Sequence, residues 1–257
     1  MASEPGAQPE HGAQPEQEAQ PEQALLTIIL ASTRLSAVPL VPEVEIHQAS
    51  EPISLWEDTE LATGRTDLDP PFWAFAWAGG RALARYLLDH PEVAGGRRVL
   101  DIASGSGLVA IAAAKAGAAA VTAYDIDPLA AAAVLVNSRA NEVTVASVCA
   151  DAFSADGPVP AEGDLVLVAD AFYERDLAAR VTVFLERARD RGAATLVGDF
   201  GRTYLPRERL VALAAYDVPG LLVLEGSEVK RTTVWTNSSG QDDQKAGLAP
   251  SINQQGL

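Results

Sequence analysis

Between residues 98 and 198 short apolar runs alternate with longer stretches of helical pattern, and this alternation limits the fold more than anything else in the chain. Arg98–Ile102, Ala120–Tyr124, Val143–Val148, Leu165–Ala169 and Ala194–Gly198 read as strands. Leu108–Ala116, Pro128–Asn141 and Glu174–Arg191 read as helices, the second with a proline near its start. Strands that alternate with helices imply βαβ units and a mainly parallel sheet. Runs that are apolar throughout predict burial on both faces. Residues 218–225 and 229–236 read as two further strands joined by Gly226-Ser227-Glu228. A link that short forces an antiparallel hairpin. The expected fold is α/β: a Rossmann-like, seven-stranded, mainly parallel sheet with a C-terminal antiparallel hairpin and helices on both faces.

The flanks are of another kind. Ala-Gln-Pro-Glu recurs at 7–10, 13–16 and 19–22, and no Lys or Arg occurs before Arg34. Such a segment cannot bury enough apolar area to offset its ordering entropy, so residues 1–24 read as a disordered tail. Residues 237–257, rich in Gln, Asp, Ser and Gly, read as a second one. One domain is expected over 25–236, with 25–78 as a segment that covers the site. In that segment 26–31 and 43–48 read as strands, 38–42 as a turn, 53–62 as a short helix, and 79–89 as the helix that follows. Leu25–Ala31 is too short for a membrane span and is not preceded by positive charge, so it does not read as a secretory signal. The lone Cys149 allows no internal disulfide, and His11, His47 and His90 show no metal spacing, so no metal is expected. The net charge of −16 argues against a phosphate backbone as partner. A cytoplasmic monomer with no nucleic acid or membrane partner is the expectation.

Val99-Leu-Asp-Ile-Ala-Ser-Gly-Ser-Gly107 runs from a strand through a small-residue turn into a helix. Small residues let the backbone approach a ligand, and the helix start offers free amides. Gly105-Ser-Gly107-Leu-Val-Ala110 also fits a dinucleotide fingerprint, which alone is weak. Asp101 decides between the two: an acid at the strand end would repel a pyrophosphate and favour the ammonium and sulfonium of S-adenosylmethionine. Ala103 stands where a glycine is usual, so the turn is expected to keep an ordinary negative φ there. Asp125 follows the loop's first glycine by the spacing at which an acid accepts from both ribose hydroxyls, with Ile126 beside it. Asp127 is assigned to capping the helix that Pro128 opens. Asp151, followed by Ala152, either accepts from an adenine amino group or is a solvated loop acid. The cofactor contacts expected are therefore Trp77, Asp101, Ala103, Ser104, Gly105, Gly107, Asp125, Ile126, Asp151, Ala152 and Ala169.

Pro70-Pro-Phe-Trp-Ala-Phe-Ala-Trp-Ala-Gly-Gly80, the loop above, Asp125-Ile-Asp-Pro128, Asp170-Ala-Phe-Tyr173 and the closing Thr233-Val-Trp235 together resemble the electron-transfer-flavoprotein β-subunit lysine methyltransferase family. Bacterial members are often labelled nicotinamide-methyltransferase-like or ribosomal-protein methyltransferase. The resemblance runs from about Leu26 to Thr236. It implies the class I methyltransferase fold and methylation of a lysine ε-amine in a partner protein, the flavoprotein β subunit or a ribosomal stalk protein. Asp170 and Tyr173, just past the fourth strand of the repeating unit, are the candidate catalytic residues, orienting and flanking the amine. Phe72, Trp73 and Phe172 are candidate substrate contacts, since aromatic faces attract alkylammonium groups. The competing reading is that Asp170 caps the next helix while Phe172 and Tyr173 pack as a lid.

Three other functions fit less well. A small-molecule N-methyltransferase, nicotinamide-like, would share the cofactor half but needs a closed pocket, and no large insertion follows 151 or 199. A non-catalytic binding module would lack the acids. An NAD-dependent oxidoreductase would need a proton-relay Ser/Tyr/Lys set.

Overall fold

The computed structural model describes residues 19–49, 71–220 and 229–237. Strands β1 (Arg34–Val38) and β2 (Val41–Gln48) form a hairpin after helix α1 (Ala19–Ser32). Then follow α2 (Ala78–Asp89), β3 (Arg98–Ile102), α3 (Leu108–Lys115), β4 (Ala120–Asp125), α4 (Pro128–Ala140) and β5 (Ala146–Cys149). β6 (Leu165–Ala169), α5 (Arg175–Asp190), β7 (Ala194–Asp199), β8 (Val211–Pro219) and β9 (Val229–Thr236) complete the described chain. The main sheet has the order β5-β4-β3-β6-β7-β9-β8. The first five of these are parallel, and β9 inserts antiparallel between β7 and β8.

Period-two alternation along the central strands builds three layers. Val99, Leu165, Leu167 and Leu196 face α2 and α3, against Leu83, Leu87, Val109 and Ala113. Their chain neighbours Leu100, Ile102, Val166, Val168 and Val197 face α5. That helix is amphipathic and buries Ala178, Val181, Leu185 and Ala188, at the three- and four-residue spacing of one helical face. By contrast α3, Leu-Val-Ala-Ile-Ala-Ala-Ala-Lys, is buried almost all round between sheet and hairpin. The hairpin's Val41, Val44 and Ile46 close over Leu108 and Ile111.

Two elements depart from the sequence reading. Residues 26–31, read as a strand, lie in α1, which begins inside the segment read as a tail. A short apolar run carries no period that separates strand from buried helix. Here Ile29 alone is fully buried, against Trp73 and Ala133, so a helix face suffices. The first strand of the closing hairpin is Val211–Pro219, seven residues before the expected start. It is an edge strand with a mostly exposed face, so its apolar signal is weak. The expected helix at 53–62, residues 221–228 and most of both expected tails lie outside the described residues.

Candidate active site

The carboxyl ends of β3, β4, β6 and β7 open into one cleft of about 640 Å³. From β3 the chain winds to β4 on one side and later to β6 on the other, so the loop after β3 sits at the switch point where α/β sheets bind ligands. In that loop Ala103 (φ 56°), Gly105 (φ 52°) and Gly107 (φ 77°) are all left-handed. The expectation of an ordinary φ at Ala103 is thus overturned. The turn from strand to helix needs that conformation there, and neighbouring bonds hold it: Ser104 N–H donates to the Tyr124 carbonyl at 3.1 Å, and Gly105 N–H to the Asp125 carboxylate at 2.8 Å. Gly107 does not line the cleft. A Cβ there would come within 3.1 Å of the Val134 side chain, so this glycine serves the packing of α3 on α4.

Asp101 lies on the cleft floor and is 1% exposed. Burial pushes its carboxyl up to about 8, against the hydrogen bond it accepts from Ala110 N–H at 3.1 Å and with the charge of Asp125 adding to the rise. A cationic ligand would favour its ionised form. Asp125 accepts from Gly105 N–H and, at 3.0 Å, from Asp127 N–H, and burial raises its pKa. Asp127 caps α4 by accepting from Leu129 N–H at 2.8 Å, as expected. Beside these acids Ile126 is 69% exposed, an apolar face with no protein cover. Asp151 fits neither sequence alternative cleanly. It lines the cleft, but Arg180 ion-pairs with it and holds it below the usual carboxylate range, and it accepts from Phe153 N–H at 2.9 Å. Ala152 and Ala169 line the cleft as expected.

Two polar atoms test whether S-adenosylmethionine suits this floor. Trp73 Nε1 and Ser104 Oγ are buried at the cleft with no hydrogen-bond partner among the described residues. Buried polar groups are nearly always paired, so unpaired ones lining a cleft are free to receive a ligand's polar groups. With Asp101 for a cationic centre, Asp125 for hydroxyls and Ile126 as an apolar face, the floor offers the donor set that this molecule requires.

At the other end of the cleft Asp170 is held from three sides. One carboxylate oxygen accepts from Gly80 N–H at 2.7 Å in the first turn of α2, and the other from Arg202 at 2.5 Å. Its own N–H donates to the Gly198 carbonyl at 3.0 Å, and its φ is 58°. Burial raises its pKa while Arg202 opposes the rise. Asp170 therefore does not cap the next helix, whose N-cap is Glu174. Tyr173 is 49% exposed at the mouth, with its ring 5.4 Å from that of Phe72. Phe72, Trp73, Phe75 and Trp77 form one wall, pinned by the Trp77 Nε1 bond to the Phe72 carbonyl at 2.8 Å. Phe172 does not join them. It is fully buried among Val168, Val181 and Leu185 on the α5 side, while Asp170, Ala171 and Tyr173 line the cleft.

Sequence reasoning missed Phe153, Arg180, Phe200 and Arg202 in the lining. For the last two a signal existed: Asp199 ends β7 as Asp170 follows β6, and ends of neighbouring parallel strands share one rim.

The sheet order and this floor define a class I, S-adenosylmethionine-dependent methyltransferase. Residues 82–171 match the family model described as ribosomal protein L11 methyltransferase (PrmA). The solved structure of the Thermus thermophilus 16S rRNA N2 G1207 methyltransferase, in complex with AdoMet and guanosine, shares the fold at a TM-score of 0.51 and 17% identity, over 80% of this chain and 50% of that one. The electron transfer flavoprotein beta subunit lysine methyltransferase of Mus musculus is 34% identical over 78% of each chain, and that of Danio rerio 35% over 76% of each. The chain belongs to the electron transfer flavoprotein β-subunit lysine methyltransferase family.

Proposed function

We propose that the chain methylates a lysine ε-amine of a partner protein, with the electron transfer flavoprotein β subunit as the first acceptor to consider and a ribosomal stalk protein as the second. The observation that carries this is the juxtaposition of an anionic, aromatic-walled cleft end with the cofactor floor: the exposed Tyr173 and the largely buried Asp170 line the same cleft as the loop 101–107. Membership of the family supports the acceptor class. No helix among the described residues is long and apolar enough to cross a membrane.

When bound, S-adenosylmethionine supplies a methyl group on a sulfonium sulfur. Asp101, Asp125, Ser104, Gly105, Ile126 and Trp77 would hold it, with Ala103, Ala152 and Ala169 shaping the surface. A free lysine has a pKa of about 10.4, and only its neutral amine is a nucleophile. The enzyme must admit the cation, then favour loss of its proton. Asp170 attracts the ammonium and receives an N–H of the amine, which fixes the direction of the lone pair. Phe72, Trp73 and Tyr173 flank the alkyl chain and exclude water, and desolvation lowers the amine's pKa so that its proton leaves to solvent. The neutral amine held in this way would be the acceptor of the methyl group that the sulfonium supplies.

The test uses the full chain with labelled methyl donor and, separately, the purified β subunit, a purified stalk protein and nicotinamide. Label on a protein lysine is expected. For Asp170→Asn, turnover should fall about a hundredfold while calorimetric affinity for the methyl donor stays within about twofold. Label on nicotinamide alone would overturn the reading.

A further inference from the structure

Among the described residues Arg202 is the one strong cation bonded to Asp170, and the reaction described above gives it no task. Its Nη1 donates to Asp170 at 2.5 Å and to Asp199 at 3.0 Å, and its guanidinium lies 4.2 Å from the centre of the Phe200 ring. Its side chain is only 13% exposed, that of Asp170 11% and that of Asp199 fully buried. Two buried carboxylates thus share one guanidinium.

The two acids are not equally supported. Asp199 also accepts from the Gly201 and Arg202 backbone N–H groups at 2.6 and 2.7 Å. Asp170 has one backbone donor, Gly80 N–H. Without the guanidinium, two like charges in a desolvated pocket cannot both persist, and the proton goes to the acid with fewer donors. That acid is Asp170. The charged groups around it are Arg202 and Asp199, from β7 and the loop after it, and the amino end of α2. Lys230 of β9 lies on the Phe200 ring that Arg202 stacks on, 4.4 Å from its centre.

We propose that Arg202 is a positioning residue for methyl transfer: it keeps Asp170 ionised and aimed at the acceptor amine, with Asp199 and Phe200 fixing the guanidinium in turn. Arg202 does not meet the reacting atoms itself. The inference rests on the acceptor role given to Asp170 above. It accounts for the buried Asp199, whose carboxylate accepts from Gly201 N–H and from the backbone and guanidinium of Arg202.

The test compares the full-length protein with its Arg202→Met and Arg202→Lys variants on whichever acceptor the wild type methylates. Arg202→Met should lower kcat about tenfold or more with methyl-donor affinity within about twofold. The acidic limb of its kcat/KM profile should move to higher pH, because Asp170 then takes a proton more readily. Arg202→Lys, and guanidinium ion added to Arg202→Ala, should recover part of the rate and return the limb. Wild-type kcat in Arg202→Met overturns the proposal, and so does a rate loss with the limb unmoved, which would mean that Arg202 only holds the loop. Should Arg202→Met lack a cooperative melting transition, Asp199→Asn decides. With its rival gone the guanidinium belongs to Asp170 alone, and the acidic limb should move to lower pH; an unmoved limb overturns the proposal. A wild type that labels only small molecules would defeat the lysine reading and leave this one standing, whereas an Asp170→Asn variant as active as wild type would remove the ground beneath Arg202.

Discussion

Ala103 holds a backbone conformation that glycine adopts freely and alanine does not, at φ 56° on the exposed top of the cofactor loop. A left-handed alanine costs about 1–2 kcal/mol, partly offset by the freedom that glycine loses on folding. Ala103→Gly should therefore raise stability by about 0.5–1 kcal/mol, read as the shift in a urea midpoint with the slope unchanged. Asp101 makes a different kind of residue-scale statement. Its folded pKa of about 8 lies above its ordinary 3.8, so the folded protein holds a proton that the unfolded chain has lost. The stability that this proton represents is present at low pH and is lost as pH rises toward 8. The Tm of ligand-free wild type should thus fall from pH 6 to pH 8 more steeply than that of Asp101→Asn. Affinity for the cationic methyl donor should rise over the same range, by up to about tenfold per pH unit, and equal pH slopes in the two proteins would remove Asp101 from the cofactor site. Both residues were visible in the sequence as types; their consequences were not. The sign of φ at Ala103 depends on the partners of Ser104 and Gly105 across the sheet, and the pKa of Asp101 depends on burial.

At the scale of elements, the covering hairpin and the cofactor loop are joined through one buried side chain. Asn137 of α4 accepts from His47 N–H of β2 at 2.8 Å and donates to the Ser106 carbonyl of the loop at 2.8 Å. Asn141, one turn on, accepts from Glu45 N–H and donates to its carbonyl. Asn137→Ala leaves a half-buried N–H and a buried carbonyl unpaired, which costs about 2–4 kcal/mol. It should also weaken methyl-donor binding, because the loop loses its anchor; calorimetry alongside thermal melting reads both, and unchanged affinity would separate hairpin from loop. A polar residue on an alanine-rich helix face gave no hint of this in the sequence, since its partners lie in elements far along the chain. The central strands were legible because burial on both faces leaves continuous apolar runs. The helix α1 and the strand β8 were not, because a single buried face, or an exposed edge, writes too short a pattern. Phe72, Trp73 and Trp77, singled out in the sequence, line the cleft together with Phe75, being local to one segment. The pairing of Asp170 with Arg202, 32 residues apart, appears only once β6 and β7 lie side by side.

For the molecule as a whole, the net charge of −16 and the anionic cleft suit an acceptor that arrives as a cation. In the reaction proposed above one cleft receives both partners: a floor of loop 101–107, Asp125 and Ile126 for the methyl donor, and an end built of Asp170, Tyr173 and Phe72 for the amine. The measurement that tests this most directly is incubation of the full chain with tritiated methyl donor and a cell lysate, followed by mapping of the labelled residue by mass spectrometry. The predicted result is label on lysine ε-nitrogen in one or a few proteins, abolished by Asp170→Asn. Label confined to small molecules, or to any protein residue other than lysine, would contradict it.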